Sequence, residues 1–199
     1  MDIITDIAEL EALYGAPNPR ALTKVATSIT PLYRRWIEAS RFVILSTVGP
    51  DGTDATPRGD DGPVIRIASE TALWLPDWPG NNRLDSLRNI LRDPRASLMF
   101  MVHGSTNVVR VNGRACITAD EAVCKSFERK GKHPRSVIVI EAEELYFQCA
   151  KAILRARLWD ADTGADVPSA GDFLSEAESG FDGGSYDATY ADHARDKMW

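Results

Sequence analysis

The segment Pro79-Gly80-Asn81-Asn82-Arg83-Leu84-Asp85 is the strongest chemical feature of the sequence. It opens a run in which Leu84, Leu87, Ile90 and Leu91 recur at helical spacing until Asp93-Pro94 stops them. A helix starting near Asn81 or Asn82 places Arg83 in its first turn, where the dipole and the free amides already favour anions. A cation there is misplaced unless an anion joins it. With Asn81 or Asn82 as N-cap, Arg83 and the amides form a phosphate cradle. The competing arrangement is an exposed guanidinium resting against Asp85, and the residues alone leave both open.

Three other segments carry usable cations. Thr56-Pro57-Arg58-Gly59-Asp60 sets an arginine at the end of a strand beside a flexible turn. In Val108-Val109-Arg110-Val111-Asn112-Gly113-Arg114, a period of two puts Arg110, Asn112 and Arg114 on one face and Val109, Val111 and Ala115 on the other. Either a ligand or plain solvent would suit that polar face. Lys151, Arg155, Arg157 and Trp159 close the series. In an extended segment Arg157 and Trp159 share a face and offer a cation beside an aromatic platform, or Trp159 simply packs on the body.

Several chemistries lack their residues. His103, His133 and His193 are isolated and have no metal-ligand spacing, so no metal site is expected. The sequence has no Gly-x-Ser-x-Gly, His-Glu-x-x-His, Gly-x-Gly-x-x-Gly or Walker pattern. Asp60-Asp61 and Glu143-Glu144 are adjacent pairs that an extended chain points in opposite directions, which suits solvation better than acid–base work. Cys116, Cys124 and Cys149 are odd in number and far apart, and read as reduced core or near-core thiols.

The elements that must hold these residues follow from periodicity. Ile3, Ile7, Leu10, Leu13 and Tyr14 predict a short amphipathic helix, stopped by Gly15, Pro17 and Pro19. A second helical stretch is expected from about Arg20 to Ala39, broken at Thr30-Pro31. From Arg41 the period changes, and Phe42 to Val48 reads as a buried strand ending in the turn Gly49-Pro50-Asp51-Gly52. Further strands are expected at Thr53–Pro57, Pro63–Ala68, Thr71–Leu75, Arg95–Val102, Thr106–Thr118 and Arg135–Leu145. Only two helices interrupt these strands, the one after Asn82 and one from Thr118 to about Lys130, with Thr118 as N-cap and Glu121 completing a capping box. Many strands and few helices predict a mainly β, α+β antiparallel barrel with peripheral helices.

Charge divides the chain unevenly. Its 199 residues carry 23 basic and 29 acidic side chains, a net charge of -6, yet Asp160 to Trp199 alone accounts for -8 and the preceding 159 residues for +2. We therefore expect a helical lead-in over residues 1–40, a barrel domain over 41–159 and an acidic extension over 160–199. The extension reads as surface loop with a short helix near Phe173 to Ala177. An acidic protein is a poor non-specific nucleic-acid binder, although a local anion site stays open. The apolar runs are strand-sized and no secretory signal stands at the N-terminus, so neither a membrane nor export is expected and the cytoplasm is the default compartment.

Taken in order, the Phe42-to-Gly52 hairpin, Thr56-Pro57-Arg58-Gly59, Gly80-Asn81-Asn82-Arg83-Leu84-Asp85-Ser86-Leu87, Asp93-Pro94-Arg95 and Val109-Arg110-Val111-Asn112-Gly113 resemble the pyridoxamine 5′-phosphate oxidase-like FMN-binding split-barrel family. The likeness runs from about Arg41 to Trp159 and is closest to a branch of FMN-dependent enzymes of undefined substrate. It implies a split-barrel homodimer with FMN in clefts between the subunits. In that frame Thr56, Arg58, Asn82 and Arg83 fall near the FMN phosphate and ribityl chain. Arg110 lies in the strand offered from the second subunit, and Arg157-Leu158-Trp159-Asp160 closes the isoalloxazine pocket.

Two departures narrow the implied function. The oxidase itself has a glutamine two residues before the arginine matched by Arg110, where this chain has Val108. Its substrate-binding end reads Arg-Leu-His-Asp-Arg, and here stands Arg157-Leu158-Trp159-Asp160-Ala161. An aromatic wall leaves polar substrate groups unpaired, which disfavours pyridoxamine phosphate. The resemblance thus implies an FMN-dependent oxidoreductase in which flavin N5 exchanges a hydride with a small, flat substrate, and Arg110 or Arg157 supplies charge beside the ring. No side chain need be an acid or base, and no catalytic residue is assigned. The alternatives are a non-catalytic flavin binder or redox sensor, or the same barrel holding haem or a deazaflavin.

Overall fold

The structure is a computed structural model that describes residues 1–160, 166–196 and 198. Its frame begins with the turn at Gly49 to Gly52, which folds β1 (Phe42–Gly49) back onto β2 (Gly52–Gly59) as an antiparallel hairpin in which Val43 faces Arg58 and Leu45 faces Thr56. Along β1 the side chains alternate, so Val43, Leu45 and Thr47 are buried while Ile44 and Ser46 face outward. The same alternation organises β5 (Arg95–Met101), β6 (Val108–Thr118) and β7 (Ser136–Gln148). With β3 (Arg66–Ile67) and β4 (Ala72–Asp77) they form one seven-stranded antiparallel sheet in the order β2-β1-β5-β6-β7-β4-β3. β2 and β3 are its edges and do not pair with each other.

The core lies on the inner face of this curled sheet, where Leu45, Phe100, Val111, Leu73, Ile138, Ile140 and Leu145 are fully covered. Two helices plug it. α3 (Pro31–Ala39) buries Ile37, and α4 (Asp85–Arg92) buries Ser86 and Ile90. α4 lies on the β1–β2 hairpin: Asn89 Nδ2 donates to Thr47 Oγ1 at 3.2 Å, and Arg92 pairs with Asp51 at 2.8 Å. Gly49 permits this seat, because a Cβ there would run into the Asn89 carboxamide. In β6, Arg110, Asn112 and Arg114 do face away from the core, and Asn112 donates to Glu144 at 2.6 Å.

Several local expectations are corrected. The stretch from Arg20 to Ala39 is two helices, α2 (Pro19–Thr23) and α3, separated by extended chain whose Ala26 bridges Leu145 on β7. α1 (Ile7–Tyr14) buries nothing, so Ile7, Leu10 and Leu13 are exposed. α4 starts at Asp85 rather than near Asn82, and Leu84 and Leu91 are exposed instead of facing the core. α5 is only Glu121–Lys125, capped by Asp120 and not by Thr118, whose hydroxyl instead accepts from the Asp120 amide. Cys124 is buried, while Cys116 and Cys149 are exposed.

The acidic extension holds more helix than its composition predicts. α7 (Ala170–Ala177) carries a capping box between Ser169 and Asp172, and α8 (Gly183–Asp196) folds back on it where Gly171 meets Gly183. Backbones approach that closely only without side chains. Residues 161–165, within the extension as drawn from the sequence, lie outside the described residues, as do Lys197 and Trp199.

Candidate functional site

β2, the end of β4 and the loop before α4 meet around a cleft of about 620 Å³. Thr56 and Arg58 come from β2, Asp77 and Trp78 from the end of β4, and Asn82, Arg83 and Ser86 from the loop and the start of α4. Arg135, just before β7, completes the wall. The volume suits a cofactor or small ligand.

Charge in the cleft is nearly balanced by internal pairing. Arg58 Nη1 meets Asp77 Oδ1 at 2.6 Å, and both side chains are mostly buried. Arg83 Nε donates to Asp85 Oδ2 at 2.8 Å, and this hydrogen bond holds its guanidinium pKa above the ordinary arginine value. Ser86 Oγ donates to Asp54. Arg135 has no carboxylate partner among the described residues. Arg58 Nε and Trp78 Nε1 are buried donors without an acceptor, a costly condition that a bound acceptor relieves.

The loop before α4 is strained. Asn82 and Leu84 have φ of 58° and 61°, in the left-handed region that costs a leucine about 1–2 kcal/mol. Leu84 occupies the N-cap position and supplies no capping side chain. The first amides of α4, which lack acceptors inside the helix by geometry, therefore receive none from the cap. Strained backbone of this kind gathers at ligand clamps. Arg83 lies before the cap rather than in the first turn, so the expected misplaced cation is corrected: it is the exposed arginine paired with Asp85.

Of the residues singled out from sequence, Thr56, Arg58, Asn82 and Arg83 share this cleft, whereas Arg110, Arg157 and Trp159 do not line it in the same protomer. Arg110 lies 5.3 Å from the Tyr146 ring on the outer face of the sheet. The stretch at Arg157 and Trp159 is not extended, which corrects their shared face. Arg157 ends α6 (Lys151–Ala156) in a left-handed conformation and pairs with Asp160 at 2.6 Å. Trp159 donates from Nε1 to Ser105 O at 2.6 Å and packs edge-on against His103, so it is fastened to the body. Asp60 is not solvated either: its side chain is 4% exposed and pairs with Arg129 at 2.9 Å. Ala161, the last position of the motif read from sequence, lies outside the described residues.

Asp77, Trp78 and Arg135 were not singled out from sequence. Asp77 and Trp78 follow directly on an expected strand and precede Pro79-Gly80, a strand-end position that favours ligand contact, and Arg135 opens another.

The model of the pyridoxamine 5′-phosphate oxidase family matches residues 29–149. The chain belongs to that family. The matched span runs from Ile29 through the whole sheet to the residue after β7, so the cleft lies within the family's common part. Among solved structures, a histidine-to-alanine variant of HupZ from Group A Streptococcus has 18% identity and a TM-score of 0.51, with 60% of this chain and 99% of that one covered. A protein provisionally named a pyridoxamine 5′-phosphate oxidase from Lactobacillus delbrueckii has 21% identity and a TM-score of 0.48 over 61% of this chain and 95% of its own. An FAD-binding protein from Mesorhizobium loti has 18% identity and a TM-score of 0.42 over 62% and 94%. At these identities the HupZ likeness bears on the fold alone. No curated protein matches.

Proposed function

We propose that this member of the pyridoxamine 5′-phosphate oxidase family is an FMN-dependent oxidoreductase that works as a homodimer in the cytoplasm on a small substrate. One observation carries the reading: a single cleft gathers Thr56, Arg58, Asn82 and Arg83 around a helix start that has no side-chain cap. Uncapped amides beside guanidinium groups suit a phosphate monoester. The orphaned Arg58 Nε adds a donor for a ribityl or phosphate oxygen.

When bound, FMN supplies hydride transfer through its N5 to or from the substrate. The chain supplies the rest. Arg83 is exposed enough to exchange part of its contact with Asp85 for a phosphate oxygen, and Arg135 brings positive charge that no carboxylate of the described chain offsets. Thr56 and Asn82 offer neutral hydrogen bonds. Arg110 lies outside the cleft of its own protomer, and in this reading it serves the cleft of a second copy.

The test is the visible absorption spectrum of the purified protein, with the mass of the cofactor released on denaturation. A flavin spectrum and the mass of FMN support the reading. Colourless protein that fails to take up added FMN overturns it. Reduction of the bound flavin by NADH or NADPH, without dithionite, then separates an enzyme from a simple flavin carrier.

A further inference from the structure

The charged donors of the arginine cleft are matched by carboxylates of the same cleft, Arg135 excepted. Arg58 pairs with Asp77, Arg83 pairs with Asp85, and the Ser86 hydroxyl donates to Asp54. Arg58, Arg83 and Arg135 thus stand against Asp54, Asp77 and Asp85, and the lining carries no net charge. We propose that Asp85 is an internal competitor for the anion of this cleft: it holds Arg83 in place of a phosphate oxygen and thereby limits how far the cleft prefers a phosphorylated ligand over the same ligand without phosphate. This inference rests on the reading of the cleft as a phosphate site.

The three contacts differ in how readily an anion can replace the carboxylate. Arg58 and Asp77 are 22% and 17% exposed, and opening that pair would strand two charges with little water around them. Ser86 is buried, so its hydrogen bond to Asp54 is shielded as well. Arg83 and Asp85 are 75% and 42% exposed, and a pair so open to solvent is held weakly. Exchange at Arg83 leaves the displaced carboxylate hydrated.

Asp85 also stands where a phosphate would stand. It is the first residue of α4 and the acidic side chain of the first turn, where the helix dipole favours negative charge. Leu84, at the N-cap, contributes no side-chain acceptor. A phosphate bound to Arg83 at this helix start lies beside the Asp85 carboxylate, and like charges that close repel. Competition for the guanidinium and repulsion both act against a phosphate, and neither acts on an uncharged ring.

Asp85→Asn removes the charge with little change of shape, and flavin fluorescence titration of the full chain with FMN and with riboflavin reads the result. The variant is expected to bind FMN about fivefold more tightly than the parent and riboflavin equally well. Asp85→Glu keeps a carboxylate in the first turn and should stay within about twofold of the parent for both ligands. The gain for FMN should shrink as salt is added. Unchanged or weaker FMN binding by Asp85→Asn, the latter being what a purely positioning role for Asp85 predicts, overturns the proposal, and so does an equal gain for riboflavin. Inorganic phosphate separates this inference from the FMN reading. Thermal unfolding of the flavin-free proteins should show a given stabilisation at about fivefold less phosphate in Asp85→Asn than in the parent. Should no form of the protein take up FMN, the FMN reading falls and phosphate alone decides: a lower requirement in the variant upholds the competition, and equal requirements overturn it.

Discussion

Arg58 on β2 and Asp77 at the end of β4 meet at 2.6 Å, although the sheet order separates their strands by four others. Their side chains are 22% and 17% exposed, so the pair is mostly withdrawn from water. It links the two margins of a sheet whose edge strands never hydrogen-bond to each other. The pair bridges β2 and β4 across the curl of the sheet and forms part of the cleft wall.

Arg58→Ala leaves Asp77 partly buried without its counter-charge and is expected to destabilise the fold by about 2 kcal/mol. Urea unfolding followed by circular dichroism measures it. Arg58→Ala combined with Asp77→Ala should cost less than the two single changes added together, since no orphaned charge remains.

Arg83→Ala is expected to weaken FMN binding at least about tenfold, the loss of one charge-assisted contact to phosphate. Its side chain is 75% exposed, so the melting temperature of the flavin-free protein should stay within about a degree. Flavin fluorescence titration checks the first and thermal unfolding the second. Unchanged affinity would remove Arg83 from the phosphate site.

Leu84→Gly relieves the left-handed strain at φ 61° and is expected to stabilise the flavin-free protein by about 0.5 kcal/mol, after the added freedom of the unfolded chain is subtracted. Leu91→Gly, in the regular part of α4, should instead destabilise by about 1 kcal/mol. Chemical denaturation of the two variants side by side reads the contrast.

Two thiols of the native protein, Cys116 and Cys149, are expected to react readily with a disulfide reagent, and Cys124 only on unfolding. Burial, reinforced by the nearby Asp120, pushes the Cys124 thiol above its ordinary pKa, so raising the pH into the usual thiol range should not expose it to attack. Stopped labelling with and without denaturant, followed by intact mass, counts the sites.

The Arg95 side chain and then its backbone amide hydrogen-bond to Asp93, holding its carboxyl at about 2. A folded-state pKa below the unfolded one contributes stability above the unfolded value that fades as pH falls through the folded value. The deficit of Asp93→Asn should therefore be constant at neutral pH, shrink below about 4 and vanish near pH 2. Because the pair is exposed, the deficit should also be small and sensitive to salt. Denaturant midpoints taken across that range test both.

Strands were legible wherever alternation and turn chemistry agreed. Phe42 to Val48 with Gly49-Pro50-Asp51-Gly52 predicts the β1–β2 hairpin, and Asp93-Pro94 does end α4. Helix starts were less legible. An asparagine before an apolar run is ordinarily a cap, yet here Asn81 Oδ1 accepts from the Arg83 amide and turns the chain before the helix begins. The short helix expected near Phe173 to Ala177 is α7, whereas α8 escaped notice because its apolar periodicity is weak and it rests on α7 through the close approach of Gly171 to Gly183 and the Asp187 carboxylate, which accepts from Ser169 Oγ and the Gly171 amide. Trp159 reads equally well as a ligand platform or a packing residue until its indole is placed on Ser105 and His103.

The sequence by itself determined the antiparallel character of the chain, the order of its strands, the candidate arginines and the likeness to a family whose model matches residues 29–149. Those properties reside in backbone preference and side-chain period, which act over a few residues at a time. Only the tertiary structure decided that Arg58 spends its charge on Asp77 and that Thr56 and Arg83 share a cleft from which Arg110 and Trp159 are absent. It also decided that the acidic end of the chain, through Arg195 and Met198, reaches a cleft that Trp78 lines as well. These pairings join residues far apart in sequence, and no local pattern encodes which of several available partners a charge or an indole meets when the sheet curls.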